Sequence, residues 1–326
     1  MSKLVTIYGG SGFVGRYIAR RMALQGWRVR VAVRRPNEAL FVRPFGVVGQ
    51  VEPVLCNIRD DASVAAAMHG ADAVVNCVGT FDAGGKNNFE AVQVDGAERI
   101  ARLAAAEGIS RMVHISAIGA DADSASTYQA TKALGEAAVL KHIPNATILR
   151  PSAIFGTEDG FFNRFAGMAL FSPILPIVGG DAKFQPVYVD DVAQAAEMAV
   201  LGQAHGVFEL GGPEVADFRS LMQGMLGIIR RRRLVLNLPF WVAGIIAGLL
   251  SFAQAVTVGL FHNTILTPDQ VRSLRSDNIV SDGAKGLADL GITPTPMNSI
   301  LPGYLWRFRP SGQYASIKES ANNLKA

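Results

Sequence analysis

The chain is expected to fold as a doubly wound α/β protein, a parallel sheet with helices on both faces, with a smaller, mostly helical carboxyl-terminal part. Three observations predict this. Short β-branched runs alternate with helix-length segments over residues 1–150, the mark of βαβ crossovers. Those runs carry almost no polar alternation, as strands covered on both faces require. Directly after the first run stands a glycine-rich turn, Gly9-x-x-Gly12-x-x-Gly15.

In order, strands are expected at Lys3–Tyr8, Arg28–Val33, Gln50–Leu55, Ala73–Asn76, Met112–Ile115 and Ala146–Leu149. Helices are expected at Phe13–Gln25, Asp61–Met68, Asn88–Glu107 and Ser126–His142. Residues 1–150 then form the nucleotide-binding domain, with the segment 184–211 completing its sheet through strands at Phe184–Val189 and Val207–Leu210. Residues 151–308 form the helical part. There Asp217 caps a helix running towards Arg230, and Thr267-Pro268 and Thr295-Pro296 each pair a capping residue with Pro at the first helical position. Asp190 and Asp191 read as caps of the helix that follows them. Residues 309–326 are polar and read as a tail that orders against a partner.

Of 326 residues, 49% are hydrophobic and only 18% charged, against about a quarter charged in an average soluble domain. Mean hydropathy is +0.24. This excludes a disordered chain. The net charge of +4 is too dilute to track a phosphate backbone, so no nucleic-acid partner is expected, and no metal site is expected either. Cys56 and Cys77 make no disulfide framework and suit a reducing compartment. The first strand begins at Lys3 with no charged or apolar leader ahead of it, so no signal peptide is expected.

The loop Gly9-Gly10-Ser11-Gly12-Phe13-Val14-Gly15 stands between a strand and a helix, where it suits a dinucleotide. Gly9 permits the tight turn, Gly12 the close approach of a pyrophosphate, and Gly15 close packing of helix on sheet. The helix start adds unpaired N–H groups and a positive dipole end. The second strand ends in Arg34-Arg35, where an NAD site puts a carboxylate for the ribose 2′-hydroxyl. Two arginines match a 2′-phosphate instead, and Arg16 adds a third cation, so NADP(H) is the expected cofactor. A solvated basic turn is the alternative.

The glycine loop, Val75-Asn76-Cys77-Val78-Gly79 and Tyr128-x-x-x-Lys132 together resemble the short-chain dehydrogenase/reductase superfamily in its extended, atypical branch. The resemblance implies that Tyr128 occupies the acid/base position and that Lys132 binds the nicotinamide ribose and lowers the tyrosine pKa. It places Asn57 and Ile58 against the adenine, Cys77, Val78 and Gly79 along the nucleotide, and Pro151 and Ser152 beside the nicotinamide. Tyr128 and Lys132 are i and i+4, so they share a helix face. Aligned on the fifth strand, the family's substrate-holding hydroxyl falls at Ala117, with Ser116 next to it. That leaves Tyr128, Lys132 and Ser116 as vestigial catalytic candidates. His114 reads as a strand residue with a local partner.

A second set narrows the resemblance. It comprises Arg150-Pro151-Ser152-Ala153-Ile154-Phe155-Gly156-Thr157-Glu158-Asp159, Phe162-Asn163-Arg164-Phe165, Gln185-Pro186-Val187-Tyr188-Val189-Asp190-Asp191-Val192, and Leu290-Gly291-Ile292 with Thr295-Pro296. These stretches resemble the NADPH-binding accessory subunits of respiratory NADH:ubiquinone oxidoreductase (complex I). That branch implies a tightly held NADPH without established turnover. It also implies other complex I subunits as partners near the quinone-reduction region. The position implied is peripheral, on the cytoplasmic face of a bacterial inner membrane or the matrix side of a mitochondrial one. The competing expectation is an active NADPH-dependent reductase or epimerase using Tyr128 and Lys132.

Arg230, Arg231, Arg232 and Arg233 precede a run without charge from Leu234 to Phe261. Three readings stand: a buried core helix, a membrane-surface or partner-docking helix, and a span interrupted early by Pro239. Ser251, Gln254 and Thr257 recur on roughly one helical face. The arginines suit anionic lipid headgroups.

Overall fold

The structure is a computed structural model that describes residues 2–81, 84–256 and 266–314. The chain divides into two compact units. The first comprises residues 1–152, 189–211 and 280–294, and the second 153–188, 212–279 and 295–326.

The first unit is built on seven parallel strands: β1 (Leu4–Tyr8), β2 (Arg28–Val33), β3 (Val51–Leu55), β4 (Ala73–Asn76), β5 (Met112–Ile115), β6 (Thr147–Pro151) and β7 (Gly206–Leu210). Their order is β7-β6-β5-β4-β1-β2-β3. The order reverses beside β1, which puts a crevice at the carboxyl ends of β1 and β4. β1, β4 and β5 are buried at every position, which is why they show no alternation in sequence. The helices are α1 (Phe13–Leu24), α2 (Asp61–Met68), α3 (Asp95–Ala106), α4 (Thr127–His142) and α5 (Val189–Val200). On one face α2, α3 and α4 cover a core that includes Tyr8, Met68, Val74, Ile100, Met112, Val139 and Ile148. There Thr6 Oγ1 and Tyr8 Oη donate to the Ala67 and Val64 carbonyls of α2.

α1 and α5 are joined by a shared ion cluster. Arg21 donates bidentately to Asp190 (2.8 Å each) and to Glu197 (2.9 Å), and Gln25 adds a bond to Glu197. The Asp190 carboxylate therefore goes to Arg21, inside the first turn of α5, and does not cap that helix.

Further expectations are corrected. The segment read as a strand over Phe184–Val189 contributes nothing to the central sheet. It forms two-residue ladders, Lys183–Phe184 with Ala216–Asp217 and Val187–Tyr188 with Ile154–Phe155, and the chain is helical from Val189. Of the region 184–211 only Gly206–Leu210 joins the sheet. A ten-residue 3₁₀ segment, Pro36–Phe45, follows β2, and α3 is preceded by a π turn at Glu90–Val94. The helix expected to open at Thr295-Pro296 starts one residue later, at Met297, with Pro296 as its cap residue and no side-chain cap bond. The other two caps hold: Asp217 accepts from the Ser220 N–H at 2.7 Å, and Thr267 and Gln270 form a reciprocal capping box.

The second unit packs Phe155, Phe162, Phe184, Phe218, Met222, Met225, Leu301 and Tyr304 around helices Phe162–Phe171, Phe218–Ile228 and Met297–Leu305. Asp159 ties this core together. Its buried carboxylate accepts the N–H groups of Gly156 (3.2 Å) and Asn163 (3.0 Å) and the Tyr304 hydroxyl. Burial holds Asp159 above the usual carboxylate range against those bonds. An orphaned buried donor costs about 1–3 kcal/mol. Asp159→Ala, which leaves three, is expected to destabilise the protein by roughly 2–4 kcal/mol, read as a lower urea midpoint. A loss below about 0.5 kcal/mol would show that water replaces the carboxylate.

The apolar run resolves into a strand, Leu234–Leu238, paired in parallel with Ile174–Val178, and a helix, Phe240–Val256; residues 257–265 lie outside the described ones. The helix turns its small residues inward, Ala243 and Ala247 against Val178 and Val271. Its large ones, Trp241, Ile245 and Leu249, face out at 57–70% exposure. Among the described residues no helix is long and apolar enough to cross a membrane. The four arginines also differ. Arg231 and Arg233 are half-buried and donate to the Phe308 and Ala169 carbonyls (2.8 and 2.9 Å), while Arg230 and Arg232 are exposed.

Candidate functional site

The crevice in the first unit is lined by three segments that the sheet brings together. After β1, Gly9 turns the chain at φ +73° and its N–H donates to Ala32. A side chain on Gly9 would press on the Cys77 backbone at 3.2 Å, so the glycine loop lies directly against the segment after β4. That segment is fixed by the Cys77 N–H to Tyr8 (2.9 Å) and by the Val78 N–H to Asn76 Oδ1 (3.0 Å). Gly79 in turn faces Lys132 Nζ of α4, with 3.7 Å for an added Cβ.

Helix α1 starts at Gly12 with no side-chain cap and no acidic residue in its first turn. Its first N–H groups and its positive end face the loop, the arrangement that binds an anion. Gly15 is buried one turn on, where a Cβ would lie 2.5 Å from the Gly9 oxygen and 2.7 Å from Gly10 Cα. Ser11, Phe13 and Val14 remain partly exposed around it. Arg16 folds back over the loop, donating to the Gly12 and Ser11 carbonyls (3.2 and 3.0 Å) with its guanidinium 4.7 Å from the Phe41 ring centre. Beyond β2, Arg34 is exposed and Arg35 pairs with Glu38 at 2.9 Å in the solvent.

After β3, Asn57 is exposed and its Oδ1 accepts the Arg59 N–H (3.2 Å). Ile58 packs on the α2–α3 core. Pro151 ends β6, and the buried Ser152 continues it by donating its N–H to Leu210 at 2.9 Å.

Tyr128 lies in the first turn of α4, which Ser126 caps. Its ring stacks on Phe81 (5.1 Å, 16°) and meets Phe89 edge-on (6.1 Å). Burial pushes the phenol up to about 12. Lys132 Nζ sits 6.0 Å from that ring and donates to the Ile115 carbonyl at 3.0 Å. Burial pulls the ammonium down to about 8, with Glu136 and Cys77 opposing. The hydroxyl nearest the expected substrate-holding position is committed elsewhere: Ser116 donates to Glu136, itself clamped by Arg150. Ala117, partly exposed, has no group to offer. His114 is buried on β5, with Asn76 Nδ2 at 3.1 Å from its Nδ1. Burial takes it down to about 3, so at neutral pH it is no base. Phe81, Phe89 and Glu136 had no recognised place in the sequence, and Arg150 entered only at the head of the stretch that narrows the resemblance. The one local signal was Glu136, an acid four residues after Lys132 on the same helix face.

The site thus combines a glycine turn at an open helix end, basic residues beyond β2, and a Tyr–Lys pair on α4. A family model for the NAD dependent epimerase/dehydratase family matches residues 5–211. The mitochondrial NADH dehydrogenase [ubiquinone] 1 alpha subcomplex subunit 9 of Arabidopsis thaliana is 34% identical over 316 residues, 95% of this chain and 79% of that protein. A ceramide reductase of Caulobacter vibrioides is 30% identical over 238 residues, 72% of this chain and 74% of that one. Among solved structures, that of MoeE5 in complex with UDP-glucose and NAD superimposes with a TM-score of 0.69 at 15% identity, covering 92% of this chain and 97% of the other. The chain belongs to the NAD dependent epimerase/dehydratase family.

Proposed function

We propose that this chain is a nucleotide-carrying accessory subunit of respiratory NADH:ubiquinone oxidoreductase that holds NADPH without turning it over. The observation that carries the reading is the 34% identity, over 95% of the chain, to a protein named as a subunit of that complex. Exposed Arg34 and the absence of a carboxylate at Arg34-Arg35 favour the 2′-phosphate of NADPH. Commitment of Ser116 to Glu136, with Ala117 beside it, removes the hydroxyl that would hold a carbonyl oxygen. A tightly held ligand stabilises the native state by RT ln(1 + [L]/Kd), so the nucleotide acts as a brace for a subunit at the quinone-reducing end of the peripheral arm.

The protein sits peripherally, on the cytoplasmic face of a bacterial inner membrane or the matrix side of a mitochondrial one. Its contacts are other complex I subunits and, through Arg230, Arg232 and the exposed Trp241, Ile245 and Leu249, anionic lipid headgroups. The second reading, an active NADPH-dependent reductase, is favoured by the ceramide reductase among the relatives.

Gently solubilised membranes decide between them. The chain is expected to co-migrate with the subunits of the respiratory complex and to retain NADPH in preference to NADH. Tyr128→Phe is expected to assemble normally. NADPH oxidation by the purified wild type with a small carbonyl, at about 1 per second or more and lost in Tyr128→Phe, would overturn the accessory reading.

A further inference from the structure

Behind Lys132 runs a line of buried charges that the nucleotide site does not itself use. Lys132 and Glu136 are i and i+4 on α4, each 5% exposed. Both reach the same strand end: Lys132 donates to the Ile115 carbonyl and Glu136 accepts from the Ser116 hydroxyl. Arg150, on β6, grips Glu136 with Nε and Nη2 (2.9 and 2.7 Å) and reaches Glu209 of β7 at 3.5 Å. Glu209 also accepts the Ser281 N–H at 2.8 Å. The order is cation, anion, cation, anion across one helix and two strands, so the set is neutral as a whole.

We propose that the Glu136–Arg150 pair is the positioning device for Lys132. Glu136 supplies the opposite charge that keeps the buried ammonium on the Ile115 carbonyl, and Arg150 limits how much of that charge Lys132 feels. Its bearing on nucleotide retention rests on the nucleotide reading above.

Among the described residues, the other titratable groups facing Lys132 cannot take this part near neutral pH. His114 on β5 is neutral, held down to about 3. The Cys77 thiol after β4 is pushed up to about 12 by burial, as is the Tyr128 phenol one turn earlier on α4. What remains is Glu136, whose field is divided between Lys132 and a bidentate arginine. Removing the carboxylate withdraws attraction from Lys132; removing the arginine restores it. An opposite charge in such a setting moves a titration by about 1–3 units. Two variants that both break one buried ion pair, and would both destabilise by the same route, must therefore move Lys132 in opposite directions.

The test is an NMR titration of the full chain labelled with ¹³C-lysine and free of nucleotide, with the Lys132 Cε resonance assigned by its loss in Lys132→Arg. Glu136→Gln is expected to lower the Lys132 midpoint by about one unit or more, and Arg150→Met, farther from the ammonium, to raise it by a smaller amount. Should either single variant fail to fold, the double variant E136Q/R150M removes the pair as a neutral unit, which buried pairs commonly tolerate. Its Lys132 is expected to titrate below the wild type. Shifts in the same direction, or no shift in the variants that fold, would overturn the proposal. NADPH affinity measured against pH on the same proteins then reads the consequence, its midpoint moving with that of the lysine. Wild-type protein that binds no NADPH would sink the nucleotide reading, and the lysine titration would still judge the pair.

Discussion

Gly15→Val is expected to abolish nucleotide binding and to destabilise the fold by about 1–3 kcal/mol, the usual cost of overpacking, lowering Tm by several degrees. The reason is local and rigid. A Cβ at position 15 would stand 2.5 Å from the Gly9 oxygen and 2.7 Å from Gly10 Cα, both backbone, with no flexible side chain to move aside. The loop cannot retreat either, because Gly9 already lies against the Cys77 backbone. Helix α1 must lift from the sheet, or the loop must lose the shape that presents its N–H groups. Gly12→Val is the informative contrast. Position 12 has an extended backbone (φ −69°, ψ 179°) and a single neighbour, the Gly9 oxygen at 3.1 Å, so valine asks the loop to give by only a few tenths of an ångström, far less than at position 15, and stands where a pyrophosphate approaches. It is expected to lower Tm by clearly less than Gly15→Val does while removing NADPH binding, read by nucleotide fluorescence, and to lower the amount of assembled respiratory complex. Normal NADPH affinity in both variants would show that this loop is not the phosphate cradle.

That contrast also marks what could be read in the sequence. The glycine spacing has a steric meaning at each position, and strands covered on both faces have a composition no surface element shares. β1 to β6, α1, α2 and α4 therefore appeared within a few residues of their expected bounds, while α3 starts at Asp95, seven residues after the expected Asn88, behind the π turn. The second unit followed no such rule. Its ladders at Ile154–Phe155, Lys183–Phe184 and Val187–Tyr188 are two residues long, too short to carry a period, and they exist because distant segments meet. Helix Phe162–Phe171 went unread because its aromatic side chains serve a core assembled from three other stretches of chain. The run Leu234–Phe261 left three readings open for a related reason. Among its described residues, the small Ala243 and Ala247 are buried while the large Trp241, Ile245 and Leu249 are exposed, the reverse of what hydropathy alone would arrange. In the site, the residues read were those fixed by local spacing. Those missed, Glu136 with Arg150 and Phe81 with Tyr128, are pairs 14 and 47 residues apart, joined by the sheet.

Lys132→Met is expected to make the nucleotide-free protein more stable and to weaken its hold on NADPH, two effects of opposite sign from one side chain. The ammonium is 5% exposed, and burial takes it from 10.5 down to about 8 even with Glu136 nearby. At about 1.4 kcal/mol per unit, the charged lysine costs the folded state roughly 3–4 kcal/mol. Its hydrogen bond to Ile115 returns about 1 kcal/mol, so methionine, similar in length and uncharged, is expected to gain about 2–3 kcal/mol at pH 7. The pH dependence follows from the folded midpoint lying below the unfolded one. Below about pH 8 the lysine is charged in both states and its cost is fully present. Between about 8 and 10.5 the folded state gives up the proton first, the unfolded state binds more protons, and stability rises with pH. The advantage of Lys132→Met, measured by urea unfolding, is therefore expected to be largest near pH 7 and to fade towards pH 10. Nucleotide affinity is expected to fall about 10-fold to 100-fold, the worth of a charged hydrogen bond to the ribose. A methionine variant less stable than wild type at pH 7 would mean that the Glu136 carboxylate more than offsets the burial of the ammonium. Lys132 would then be a keystone of the fold, and not a charge that the fold tolerates for the sake of its ligand.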